Sequence, residues 1–523
     1  MFKSEVSFPV YCHECWWSDK WDPLKFGREY DFSIPFFEQF AMLQKETPRP
    51  ALYSSQNINS QYCNHTAHNK NCYLMFGSWF SENCGYGNTV LESKDCWDCL
   101  FVEKCEACLH TVDSTKSYQL HFSQNCTACT DSAFLYDCKN CQNCLFSYNL
   151  RNKNYHVFNQ PVSKEEFARI KNETFGSYSV LQKKFSEFRK VVQEKALHKY
   201  LVGEHNKDVS GNFIYNAKNV RASFFISGGE NEKYAVRSVK AQKDSMDIFG
   251  VNGGELGYES NNVDFSSRCY FGVNGENNAR TDYLVDCFNV ENSFGCTSLR
   301  AKKYCILNKQ HDEKTYSEMR DKIIAQMENQ PYVDKIGRKY SYGEFFPPEL
   351  SPFAYNETIA QEYAPLTKKQ AEKLGFPWQD TSDKNYAATK RWDELPDSIS
   401  KTDDSVLKEN ILCEAWDKNK ELAKEHQCTK AFRITPDELE VYRKFGLPLP
   451  RKCPNTRNFE KFQMRNPVAL WHRQCVCDYT AYPNSAKHLH HPTGRCPNEF
   501  ETSYSPERPE IVYCEQCYQQ EVA

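Results

Sequence analysis

The chain has 523 residues, 65 basic and 69 acidic side chains, a net charge of −4, 26 cysteines and 14% aromatic residues. At roughly 150 residues per domain this allows about three domains, and so even a charge balance excludes a bulk polyanion binder. No apolar run approaches the roughly 18 residues of a bilayer span, and MFKSEVSFPVYCHECWW has no apolar signal core, so a cytoplasmic setting with reduced thiols and no membrane partner is expected.

Residues 1–50 read as a partial zinc knuckle and an N-terminal cap. Val10-Tyr11-Cys12-His13-Glu14-Cys15-Trp16 resembles Val512-Tyr513-Cys514-Glu515-Gln516-Cys517-Tyr518 near the other end. Cys12 and Cys15 are therefore candidate metal ligands. Either the recorded start lies too late, or these two thiols take partners from another part of the chain.

Residues 51–203 repeat. Lys70-Asn71-Cys72, Lys94-Asp95-Cys96, Lys116-Ser117-Tyr118 and Lys139-Asn140-Cys141 recur at steps of 24, 22 and 23 residues. Strand-like pieces between Asn, Asp, Ser and Gly are too short for helices. A near-constant step suits one coil of a parallel β-solenoid, whose coils bury their inner faces against one another. The segment closes at Tyr155-His156-Val157-Phe158-Asn159. Ser163 and Glu166 then form a capping box for a helix over 164–200 that covers the open edge.

Residues 204–330 use the same grammar. Val209 and Val220 are 11 apart, as are Phe213 and Phe224. Tyr304-Cys305-Ile306-Leu307-Asn308 mirrors the earlier close, and a helix capped through Thr315 and Glu318 follows. In the first segment the Cys-x-x-Cys pairs Cys96/Cys99, Cys105/Cys108, Cys126/Cys129 and Cys141/Cys144 would stack in columns. Two readings stand: buried thiols packing as small hydrophobes, or metal held between coils.

Residues 331–410 read as an extended linker, with paired prolines at FFPPELSPFAYNE and a short helix from Thr367 to Leu374. Residues 411–523 read as a zinc-ribbon module. Thr435-Pro436-Asp437-Glu438 starts a helix that Gly446 ends. Cys475, Cys477, Cys496, Cys514 and Cys517 offer enough thiolates for tetrahedral Zn²⁺, which would supply folding energy to a module with little core. His488, His490 and His491 read as a solvated loop that could lend a substitute ligand. A second site would use Cys413, Cys428 and Cys453, with Thr456 where the fourth ligand is expected. The fold class expected is thus mainly β: a parallel β-solenoid in two segments each closed by a helix, an extended linker, and a C-terminal zinc ribbon.

WWSDKWDP (16–23), YDFSIPFFEQF (30–40), LRNKNYHVFNQ (150–160), FFPPELSPFAYNET (345–358) and FETSYSPERPEIVYCEQCY (500–518) resemble a family of uncharacterised cysteine-rich zinc-ribbon proteins of small-genome candidate-phyla bacteria. The resemblance implies a zinc-bearing intracellular protein. Some relatives carry a CaiB/BaiF label, but the α/β pattern and catalytic aspartate context of that chemistry are missing here. Relatives read Cys-Pro-x-Cys-Arg where this chain reads Cys453-Pro454-Asn455-Thr456-Arg457.

No convergent acid, base and nucleophile set is visible, so a non-catalytic binding or scaffold protein is expected, with a protein or polysaccharide partner. Nucleic acid is the alternative partner: Arg433, Arg443, Lys444, Arg451, Lys452, Arg457, Lys461, Arg465 and Arg473 interleave with Phe459, Phe462 and Trp471, and such a segment can neutralise phosphates and stack bases. A β-helix carbohydrate-acting enzyme is the third reading, with Asp244, Asp247, Asp264 and Glu255 as its acids, although acids in Asn/Gly-rich turns usually serve the turn.

Overall fold

The computed structural model describes residues 2, 6–380, 387–481 and 484–522. The chain is strand-rich, and most of its strands pair in parallel. In the first stack Asn64 aligns with Phe76, Asn88, Leu100 and Val112 on successive strands, and Tyr118 with Thr130, Gln142 and Asn154. In the second, Met246 aligns with Tyr258, Tyr270, Asp282, Phe294 and Ile306. Every step is 12 residues.

A rung is therefore half the length that the lysine spacing predicts. Lys70 and Lys94 sit two rungs apart with Glu82 between them, and Lys70 Nζ bonds Glu82 at 2.8 Å. Alternating charge, which pairs neighbours across rungs, doubled the apparent period. Lys116 and Lys139 belong to other columns. The 11-residue spacing in the second stack is also local. Val209 does align with Val220, but the register shifts before Gly211, so Phe213 stacks on Phe225 at 5.2 Å rather than on Phe224.

Each rung turns a corner every third residue. Asn83, Tyr86, Thr89, Glu92, Asp95 and Asp98 all have φ between 46° and 55°. This left-handed region is disfavoured for residues other than Gly, Asn and Asp, so the corners depend on the ladders on both sides. The residue after each corner points inward. The narrow interior admits only small or slender side chains, so Cys72, Cys84, Cys96 and Cys108 form one buried column. Cys84 Sγ donates to Glu82 O (3.2 Å) and Ser93 O (3.6 Å), as Ser81 Oγ does to Val90 O (3.0 Å) in a neighbouring column. Cysteine and serine fill equivalent places, and both satisfy backbone carbonyls.

Both stacks end in a strand that turns back antiparallel, Gln160–Pro161 on Asn154–Val157 and Lys309–Gln310 on Cys305–Ile306. The closing asparagines drive the turn. Asn159 (φ 62°) and Asn308 (φ 61°) accept from Tyr148 N–H and Thr297 N–H, each at 2.9 Å. The return strand pairs with the last rung, and the helix that follows also packs on the closing rungs, with Tyr155 against Phe167 at 5.7 Å. Lys164–Phe175 and Tyr178–Lys195 are two helices, parted at Gly176 and Ser177 where one is expected. They pack on a ladder of Phe122, Phe134, Phe146 and Phe158, whose rings repeat at 5.1, 4.6 and 5.1 Å. That is close to the ~4.8 Å spacing of adjacent strands. The helix Glu313–Asn329 is capped by Asp312, which accepts from Thr315 N–H; Thr315 is not the cap. Thr435 and Gly446 do bound the helix Pro436–Phe445.

Candidate metal centre

The C-terminal module builds its site from three chain segments. The strand Trp471–Gln474 delivers Cys475 and Cys477 at its end, and pairs antiparallel with Glu499–Thr502, which follows Cys496. The strand Ile511–Tyr513 joins Leu197–Lys199 of the body and delivers Cys514, with Cys517 in the first turn of the helix Glu515–Val522. The sulfurs of Cys475, Cys496, Cys514 and Cys517 all lie within 4.8 Å of one another and are buried. Cys496 and Cys514 are 3.9 Å apart. Four sulfurs ~2.3 Å from a tetrahedral metal would stand about 3.8 Å apart, so the observed separation fits. Backbone N–H groups already point at the sulfurs, from Cys514 to Cys475 (3.2 Å) and from Cys517 to Cys514 (3.5 Å). S–H donation from Cys475 and Cys517 holds Cys514 well below the ordinary thiol range. The same contacts and burial raise Cys475, Cys496 and Cys517, so one sulfur carries the charge and its neighbours hold protons that a cation would replace.

Cys413, Cys428 and Cys453 also converge within 4.8 Å, with Cys428 and Cys453 Sγ 3.6 Å apart. Thr456 Oγ1 occupies the fourth corner, 3.3 Å from Cys453 Sγ and 3.9 Å from Cys413 Sγ. This is a three-thiolate site, with a hydroxyl where a fourth sulfur would complete it. Both clusters can hold a metal ion.

No family model and no curated protein sequence matches the chain. Among solved structures it aligns with a protein provisionally described as an acetyltransferase, from Desulfovibrio desulfuricans G20. Identity is 11%, the alignment covers 46% of this chain and 63% of that one, and the TM-score is 0.11. At that score the likeness fixes neither fold nor activity.

The three histidines are not a solvated loop. His488 is fully buried and His491 nearly so, with both rings facing the cysteines. Their signal in the sequence was the His-x-His-His run lying between two cysteine pairs. Cys12 and Cys15 do form the same knuckle as Cys514 and Cys517, with Cys15 N–H donating to Cys12 Sγ at 3.5 Å. They are exposed, and among the described residues they join no group of three or more metal-ligating side chains. The stack thiols join none either. Burial pushes Cys84, Cys96 and Cys126 well above the ordinary thiol range, which keeps them protonated and unreactive.

Part of the basic segment is turned inward: Arg451, Arg457, Lys461 and Arg465 are buried, while Arg433, Arg443 and Lys444 are exposed. Arg457 bonds Asp98 and Glu438, Lys461 bonds Asp98 at 3.2 Å, and Arg465 bonds Asp113 at 3.0 Å; all these side chains are buried. Arg443, Lys444 and Lys452 pair with Asp404, Asp95 and Glu460. Four of these cations, Lys444, Arg457, Lys461 and Arg465, thus meet acids of the first stack.

A cleft of about 2150 Å³ opens where the two stacks, the N-terminal helix and the 331–410 segment meet. Trp17, Trp79 and Trp378 line it together with asparagines such as Asn252 and Asn262. Asp264 faces it too, accepting from Asn252 N–H and Nδ2 at 2.9 Å each, and burial lifts its pKa to about 6. Glu362, which sequence reasoning missed, also lines the cleft; burial raises it to about 7, against an Asn458 Nδ2 donor at 2.8 Å. Asp244, Asp247 and Glu255 lie outside the lining. Asp244 accepts from Asn231 (2.7 Å) and Glu255 from Ser267 (3.0 Å), both as parts of cross-rung ladders.

Proposed function

We propose that the protein is a non-catalytic binding or scaffold protein: two β-solenoids hold a ligand between them, and a C-terminal zinc ribbon clamps the first. The cleft carries this reading. Pockets for small molecules span roughly 300–1,000 Å³, and about 2150 Å³ suits an extended ligand. Tryptophan faces beside asparagine amides fit a polysaccharide segment, which presents apolar ring faces and hydroxyl edges together. The buried, soft donor sets of the C-terminal module support zinc as the metal. The core of residues 471–523 consists mostly of the cysteines themselves, with Tyr513, Tyr518 and Val522, so this part would draw much of its folding energy from that metal.

The test is binding of a panel of soluble polysaccharides to the full chain, read by tryptophan fluorescence. A saturable change that Trp17→Ala and Trp79→Ala weaken is expected. No response to any glycan, with a defined protein ligand competing for the cleft, would move the reading to a protein scaffold. A carbohydrate-acting enzyme is the second reading, favoured by the raised pKa of Asp264 in the cleft. Products released from the same panel, and lost in Asp264→Asn, would establish it over binding alone.

A further inference from the structure

We propose that the C-terminal module holds two metal ions, with Cys517 Sγ bridging them. The second ion would take Cys477 Sγ, His488 Nδ1, His491 Nε2 and Cys517 Sγ. These atoms lie within 4.8 Å of one another on four buried residues, and Cys517 belongs equally to the four-thiolate group.

Geometry favours coordination. His488 Nδ1 is 3.2 Å from His491 Nε2 and 3.3 Å from Cys477 Sγ, and His491 Nε2 is 3.2 Å from Cys517 Sγ. Bonds of ~2.05 Å to nitrogen and ~2.3 Å to sulfur in a tetrahedron put N···N near 3.3 Å and N···S near 3.6 Å. Two polar atoms, Cys477 Sγ and His491 Nε2, crowd His488 Nδ1, and one proton cannot serve both contacts.

The proton on His488 is placed by its other side. Nε2 meets Glu521 Oε1 at 2.8 Å, and Glu521 is itself pinned by Ser485 N–H (2.8 Å), Ser485 Oγ (2.6 Å) and Ala486 N–H (3.1 Å). A carboxylate on Nε2–H leaves the Nδ1 lone pair aimed into the cluster, which is the usual outer partner of a metal-bound histidine.

Charge agrees. One dication on four thiolates leaves two negative charges in a buried site, which is costly. A second dication that also recruits the Cys477 thiolate leaves one. His490 Nε2, 3.4 Å from both Cys496 Sγ and Cys517 Sγ, is placed to donate to those crowded sulfurs.

The inference rests on zinc at the four-thiolate site, and the experiment separates the two. Zinc per chain is measured by elemental mass spectrometry on the reduced full-length protein, the His488→Ala/His491→Ala double variant and Cys514→Ser. The double variant should hold one zinc fewer than wild type. An equal count would overturn the bridge and leave the four-thiolate reading intact, provided Cys514→Ser still loses metal. Wild type loaded with cobalt guards against misfolding. Two Co²⁺ ions sharing one sulfur couple magnetically, so the electron-spin count should fall short of the cobalt count by two. Equal counts would overturn the proposal. Glu521→Gln should keep both ions but release one of them to a chelator roughly 10–100-fold more readily.

Discussion

Glu232 points into the second stack in a column between Val220 and Ser245. It is 1% exposed, and neither carboxylate oxygen has a hydrogen-bond partner among the described residues. Burial raises its pKa from 4.5 to about 8. Between those values the native state keeps a proton that the unfolded chain has released, so stability falls as pH rises. The loss begins near pH 4.5, is complete above about pH 8, and at ~1.36 kcal/mol per unit over about 3.5 units comes to about 5 kcal/mol. Glu232→Gln should remove that slope, and Glu232→Val, which copies Val220, should remove it and add apolar packing. Urea unfolding followed by circular dichroism at pH 5 and pH 8 measures this. A large metal-bearing chain need not unfold in two states, so variant and wild type are compared at each pH, where metal loss affects both alike. The variants should match wild type within ~1 kcal/mol at pH 5 and exceed it by several kcal/mol at pH 8. Identical pH dependence in all three proteins would mean that Glu232 does not hold its proton in the folded state.

Arg457→Met leaves Asp98 and Glu438 buried beside a single remaining cation, Lys461, and should cost ~3–5 kcal/mol; protease cleavage first appearing in the 411–523 module would report it, and unchanged resistance would count against the docking role. Thr456→Cys should complete the Cys413, Cys428 and Cys453 site and raise its metal affinity in competition with a chromophoric chelator; no gain would mean the corner is closed to metal. Single-stranded DNA should bind weakly and with a shallow salt slope, because six of the 433–473 cations, Arg443, Lys444, Lys452, Arg457, Lys461 and Arg465, already pair with acids. A steep loss of tight binding with salt would restore the nucleic-acid reading.

Composition and punctuation made the parallel, strand-rich character legible, because short apolar pieces broken by Asn and Asp have few other solutions. The rung length was obscured by Lys70, Glu82 and Lys94, whose alternating charge imitates a longer period. Phe122, Phe134, Phe146 and Phe158, 12 apart, carried the true period but were hidden among other aromatics. The cysteines that converge in the C-terminal module could be named as candidates because sulfur chemistry is specific. The histidines were legible only as a surface loop that could lend a substitute ligand, since nothing local places Glu521 behind His488. Asp98 and Arg457 are 359 positions apart, and no local pattern pairs them, so a buried ion-pair network resembled a basic surface.

The central claim is that metal organises the C-terminal module while thiols merely pack the stacks. Metal content of the reduced full-length protein, measured beside Cys514→Ser and Cys99→Ser, tests it directly. Wild type should hold zinc, Cys514→Ser should lose it, and Cys99→Ser should keep an unchanged count. Metal lost in Cys99→Ser, or iron and sulfide in wild type, would contradict it and make the stacks themselves the metal-binding body.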